Sequence, residues 1–222
     1  MILCLVTDRR RLGAAVGAEP SRFLEVLRKQ VVAAADAGID FIQIRERDLE
    51  AAELADFVRD VMRLTAGTAA KVLVNDRIDV AIAAKASGVH LTEASILPDR
   101  VRAIAPPGFF ISCAVHSIAA LAARKSADLL IAGTVLPTAS KPSVDYLNKD
   151  GLEAIVAVAA PQPVIAIGGL DIPAMRLVAA TRAVGMAAVG AFVPRAGDDI
   201  TEFVQNRVNG LRLAFDSASR RT

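Results

Sequence analysis

The chain has 222 residues, 54% of them hydrophobic, enough to bury the core of one domain. Its 26 basic and 24 acidic residues leave a net charge of +2, too balanced for a nucleic-acid partner, while a small anionic substrate stays open. Aromatic residues make up only 4% and there is no Trp, which argues against a base-stacking surface.

The first apolar run ends at Val6, too short for a signal peptide or a membrane span, so no membrane partner and a cytoplasmic location are expected. Ile2–Val6 reads instead as a strand ending at Thr7-Asp8. A loop with Gly13, Gly17 and Pro20 leads to Ser21 as an N-cap, and a helix runs from there to Ala37, stopped by Gly38. Phe41–Ile44 is the second strand, followed by the charged run Arg45–Asp48, and Ala51–Leu64 has helical periodicity. Lys71–Val74 is the third strand and Ile78–Ala86 a short helix. Gly88–Leu91, Phe109–Cys113 and Leu129–Ala132 are strands four to six, with helices over Pro98–Ile104 and Ser117–Lys125. A polar loop, Gly133–Asn148, precedes a helix over Lys149–Ala159. Val164–Ile167 is uniformly apolar, as in a strand buried on both faces by helices, and stops at Gly168-Gly169. A helical segment starts at about Ile172. Gly185–Phe192 repeats the strand-then-glycine pattern, and Ile200–Ser217 closes the chain as a helix.

Eight strand–helix alternations without a break in composition predict one domain over residues 1–222, a single (β/α)8 TIM barrel. A doubly wound open sheet is the alternative, but polar groups concentrated after successive strands suit the closed form. Cys4 and Cys113 sit inside apolar runs and read as buried thiols rather than a bridge or a metal pair.

Active sites of such barrels lie at the carboxyl ends of the strands. Thr7 and Asp8 follow strand one. Gln43 and Arg45, alternate residues on one face, end strand two, with Glu46 and Arg47 beyond. Asn75 and Asp76 follow strand three, and His90, Thr92 and Glu93 end strand four. His116 follows strand five. Thr134, Thr138, Ser140 and Lys141 lie in the loop after strand six. Gly168, Gly169, Gly190 and Ala191 follow strands seven and eight, where bare backbone N–H groups suit a phosphate. Blander readings stand beside these. Arg45 and Arg47 could pair with Glu46 and Asp48 on a solvated rim, Asn75-Asp76-Arg77 could cap the next helix, His90 reads as a packed core histidine, and the glycines could serve only tight turns.

Taken together, Val6-Thr7-Asp8, Gln43-Ile44-Arg45, Asn75-Asp76-Arg77 with Asp79, Gly88-Val89-His90-Leu91, His116, the stretch from Gly133 to Lys141 and Ile165–Gly169 resemble the thiamine phosphate synthase superfamily. That superfamily includes a magnesium-dependent synthase, which joins hydroxymethylpyrimidine pyrophosphate to a thiazole phosphate. It also includes a metal-free tautomerase acting on a thiazole carboxylate phosphate. Three departures from the synthase pattern point to the tautomerase branch. Arg47 stands for the lysine of Gln-x-Arg-x-Lys, Ser95 for the magnesium-holding aspartate of Gly-Gln-x-Asp, and Ala114 for a pyrophosphate-binding serine. Asp76 and Thr138-x-Ser140-Lys141 match the synthase.

The resemblance therefore implies a thiazole tautomerase-like isomerase without a cofactor. His116 would shuttle the proton, and Arg45 with Lys141 would grip the carboxylate. Gly168, Gly169, Gly190 and Ala191 would hold the phosphate of the thiazole substrate, and Gln43, Arg47, Asn75 and Thr138 would complete the binding site. The alternatives are a synthase, with Asp76 on Mg2+, and a non-catalytic phosphate-binding barrel. The resemblance also implies a homodimer.

Overall fold

A computed structural model describes residues 1–138 and 145–220. Eight parallel strands close into a barrel in chain order: β1 Ile2–Val6, β2 Phe41–Ile44, β3 Lys71–Asn75, β4 Gly88–Leu91, β5 Phe110–Val115, β6 Leu129–Gly133, β7 Val164–Ile167 and β8 Gly185–Ala188. Closure pairs β1 with β8, Ile2 lying opposite Gly185. The helices among the described residues are α1 Arg9–Ala15, α2 Phe23–Asp36, α3 Ala51–Leu64, α4 Ile78–Ala83, α5 Pro98–Ile104, α6 Ile118–Leu121, α7 Asn148–Ala159, α8 Met175–Ala180 and α9 Ile200–Ser219. The predicted (β/α)8 barrel is thus the observed architecture, and the open sheet is excluded. None of these helices is long and apolar enough to cross a membrane.

The period of two along each strand builds two cores. Cys4, Val6, Phe41, Leu73, Leu129, Ile131, Ile165 and Ala187 fill the inside of the barrel. Their neighbours Leu3, Leu5, Ile42, Ile44, Val72 and Val74 pack outward beneath the helices. Both thiols are buried, and burial pushes Cys4 up to about 12 and Cys113 to about 11, so neither is a nucleophile at neutral pH. Phe41 and Phe110, with ring centroids 4.9 Å apart, plug the floor, and the Lys71 ammonium covers the Phe110 ring at 5.0 Å.

Three local expectations are revised. Ser21 does not cap α2, whose N-cap is Arg22 after a 3-10 turn over Pro20–Arg22. The stretch with Gly13 is helical, not a loop. A Cβ on Gly13 would stand 2.1 Å from the Phe23 ring, so this glycine lets α2 pack against α1 instead of breaking it. The segment after β5 is also shorter than expected: α6 passes into a 3-10 turn over Ala122–Arg124. Arg212 of α9 fastens the closing seam of the barrel, donating to the carbonyls of Met1 at 2.8 Å and Gly38 at 2.6 Å and to Asp40 at 2.9 Å. The same Asp40 oxygen accepts the Leu3 N–H at 2.7 Å.

Strand spacing leaves no room for side chains at two strand starts. A Cβ on Gly88 would lie 2.0 Å from the Phe110 carbonyl oxygen, and one on Gly185 would lie 1.8 Å from that of Ile2. Backbone cannot yield as a side-chain tip can. Gly88→Ala is therefore expected to cost about 3 kcal/mol or more, read as a lower urea midpoint at unchanged slope.

Candidate active site

The inward parity that fills the barrel also builds its mouth. Above the apolar floor, the next inward positions are polar: Gln43 on β2, Asn75 on β3, His90 on β4 and Ser112 on β5, all buried. Gln43 Nε2 donates to Asn75 Oδ1 at 3.0 Å, and His90 Nδ1 shares a hydrogen bond of 2.9 Å with Ser112 Oγ. One step further up, the mouth opens into a cavity of about 530 Å³. Its lining brings together Gln43, Arg45, Arg47, Asn75, His116, Thr138, Gly168, Gly169, Gly190 and Ala191, every predicted substrate-site residue except Lys141. Ser140 and Lys141 lie outside the described residues.

The charged run after β2 is sorted by a buried carboxylate. Glu46, only 4% exposed, accepts from the Thr7 hydroxyl at 2.6 Å, from the Arg9 backbone N–H and from the Arg9 guanidinium at 3.0 Å. Thr7 Oγ1 in turn accepts the Arg45 N–H at 2.9 Å. Asp48 is taken by Arg9 and Arg10, which hold its carboxyl well below the usual range. The expected alternative of Arg45 and Arg47 pairing with these acids is therefore not what forms. Among the described residues neither makes an ion pair, and both line the cavity. Burial, followed by the neighbouring Arg47 charge, lowers the Arg45 pKa, and the carboxylates of Asp8 and Glu46 oppose that shift.

Across the mouth, Gly168 and Gly169 have φ of +105° and +67°. A Cβ on Gly169 would stand 2.5 Å from the Pro137 carbonyl oxygen, because the chain after β6 crosses directly over the pair. Both positions thus demand glycine for the backbone itself. The turn reading is correct as far as it goes, yet the same residues line the cavity. Among the described residues, the N–H groups of Gly168, Gly169, Gly190 and Ala191 have no backbone acceptor.

Asp76 does not cap α4. The cap position is Arg77, which makes no side-chain cap bond. Asp76 has a left-handed φ of 63°, is exposed, and accepts a hydrogen bond from Ser95 Oγ. It makes no ion pair among the described residues. Glu93 Oε1 accepts the His116 backbone N–H at 2.6 Å, and His116 Nδ1 donates to the Gly133 carbonyl oxygen. An exposed carboxylate beside a hydroxyl fits Mg2+, which binds through one or two carboxylates with phosphate oxygens and waters. No cluster of three or more His, Cys, Asp or Glu able to hold an ion alone exists among the described residues, so the fit depends on a phosphorylated substrate.

Four further residues complete the surroundings of the cavity. His90 is a hydrogen-bonded core histidine as expected, but it also faces the cavity. Arg124 is buried and donates to the Glu93 carbonyl at 2.8 Å, holding the loop after β4. Arg11 and Asp8 reach the cavity from the start of α1. Asp8 and His90 were legible as polar groups after strands one and four, whereas Arg11 and Arg124 offered no signal.

Burial, then the charge of Arg45, lowers the His90 pKa from 6.5 to about 4. The unfolded chain therefore binds a proton that the folded state refuses. Stability is complete above about pH 6.5 and falls as pH drops towards 4. Urea midpoints at pH 7 and pH 4.5 should show His90→Asn losing less than the parent on acidification, by roughly 2 kcal/mol.

Residues 4–192 match the thiamine monophosphate synthase family. A thiamine-phosphate synthase of Pyrococcus horikoshii is 36% identical over 216 residues, covering 96% of this chain and 94% of that protein. A solved thiamine phosphate pyrophosphorylase of Pyrococcus furiosus superposes with a TM-score of 0.78 at 29% identity, covering 98% of this chain and 96% of that one. The chain also matches, at 34% identity over 147 residues, a thiamine biosynthetic bifunctional enzyme of Oryza sativa, spanning 27% of its length. Relatives matched along nearly the whole chain are synthases, transferases by class, and they overturn the tautomerase expectation together with its isomerase class. Proton transfer by His116 belonged to that reading. Physically, the departures behind it are single substitutions at Arg47, Ser95 and Ala114, and they leave the paired guanidinium groups and Asp76 in place. The chain belongs to the thiamine monophosphate synthase family.

Proposed function

We propose that the protein is a magnesium-dependent thiamine-phosphate synthase, joining hydroxymethylpyrimidine pyrophosphate to a thiazole phosphate with release of pyrophosphate. The observation that carries this reading is the sorting of charge by Glu46 and Asp48, which leaves Arg45 and Arg47 lining the cavity with no ion pair among the described residues. Desolvation disfavours the charge of half-buried Arg45 beside the exposed Arg47, and a diphosphate offers the two guanidinium groups bidentate, charge-assisted partners. Substitution of the family lysine by Arg47 preserves the cation and adds a planar fork of donors.

Division of the cavity supports two anions. Arg45, Arg47, Gln43 and Asn75 line the β2–β3 side and would bind the pyrimidine diphosphate. Gly168, Gly169, Gly190 and Ala191 on the opposite side would cup the thiazole phosphate with backbone N–H groups. Asp76, with Ser95 beside it, would hold Mg2+, whose charge when bound offsets that of the diphosphate. As the carbon–oxygen bond to pyrophosphate breaks, negative charge grows on the leaving group, and donors fixed by β2 stabilise it without reorganising. Thr7 and Glu46 contribute by anchoring the Arg45 backbone.

Incubation of both precursors with Mg2+ should release pyrophosphate, and chelation of the metal should stop it; a folded protein that releases none refutes the reading. Arg45→Ala is expected to lower kcat/KM by about tenfold to a hundredfold, the worth of one charge-assisted interaction. Asp76→Asn should raise the Mg2+ concentration needed for half-maximal rate while leaving the thermal midpoint close to that of the parent.

A further inference from the structure

Three consecutive arginines open α1, and two of them are committed. Arg9 is held by Glu46 and Asp48, and Arg10 by Asp48. Arg11 makes no ion pair among the described residues; only its backbone N–H is engaged, donating to Asp8 at 2.9 Å. Its guanidinium lies instead over Gly190. A Cβ built on that glycine would stand 2.8 Å from Arg11 Nη2 and 3.3 Å from Cζ. Unlike Gly168 and Gly169, Gly190 has no positive φ, so its backbone does not require glycine. What the missing side chain provides is room for the Arg11 fork against the glycine cup.

The acids near the cup are already engaged. Asp8 caps the first turn of α1, and Asp171 is paired with Arg207 at 2.7 Å and accepts the Ile172 N–H. Backbone N–H groups carry only partial charges, whereas a phosphate monoester carries about −1.5 to −2. A forked, permanently charged side chain supplies what the cup lacks.

We infer that Arg11 is a specificity-determining residue, the cation through which the cup distinguishes a phosphorylated thiazole from its unphosphorylated alcohol. The inference rests on the proposed assignment of the cup to the thiazole phosphate.

Calorimetric titration of the full chain with the thiazole phosphate, and separately with the alcohol, tests it in the parent, Arg11→Met, Arg11→Lys and Gly190→Ala. Arg11 is exposed, and the atoms that a methyl group on Gly190 would displace are the tip of a flexible side chain, so all three variants should fold. Arg11→Met should weaken the phosphate ester about tenfold to a hundredfold and leave the alcohol unchanged. Arg11→Lys should recover part of the loss, and Gly190→Ala should weaken the ester in the same direction. Equal affinity of parent and Arg11→Met for the ester overturns the inference, as does an equal loss on ester and alcohol. Pyrophosphate release by the parent is measured alongside: Arg11-dependent ester binding without turnover sinks the synthase reading and leaves this one standing.

Discussion

Everything at the mouth of this barrel depends on one buried carboxylate. Glu46 is withdrawn from water between the ends of β1 and β2, where the Thr7 hydroxyl and both the backbone and side chain of Arg9 satisfy it. A carboxylate so buried is tolerable only when fully hydrogen-bonded and charge-compensated. Meeting that demand fixes two loops against each other and decides which arginines are consumed. The outcome is an asymmetry of charge: Glu46 and Asp48 are taken up by Arg9 and Arg10, and Arg45 and Arg47 are left lining the cavity.

Polarity rises in layers along the barrel axis. Phe41, Phe110 and Leu73 close the floor, four hydrogen-bonded polar side chains lie above them, and guanidinium groups occupy the top. Because the floor is apolar and the polar layer above it is buried, a proton on His90 is excluded by burial and by Arg45. A neutral His90 keeps the layer from adding a further positive charge beneath Arg45. Fixed dipoles and cations in such a setting act more strongly than they would in water.

What could be read from the chain followed period and punctuation. Uniform apolar runs ending in polar residues or glycine located the eight strands, and alternation placed Gln43 and Arg45 on one face. Contacts between distant segments were beyond that reading. The role of Thr7 requires knowing that it meets Glu46, and α1 was hidden by Gly13, whose purpose is to admit Phe23. Functional branch proved harder still. Ser95 and Ala114 suggested a lost diphosphate site when read as missing ligands, whereas the absence of ion pairs at Arg45 and Arg47 depends on the partners of Glu46 and Asp48, which no motif shows.

The seam between β8 and β1 carries a consequence for how the molecule is made. Ile2 pairs with Gly185, and Arg212 joins α9 to the carbonyls of Met1 and Gly38. On a ribosome, β1 must therefore wait with one edge open until β8 and α9 have emerged. An apolar strand with unpaired backbone groups invites association with neighbouring nascent chains. Closing that edge falls to β8 and the Arg212 clasp, which follow every other strand along the chain.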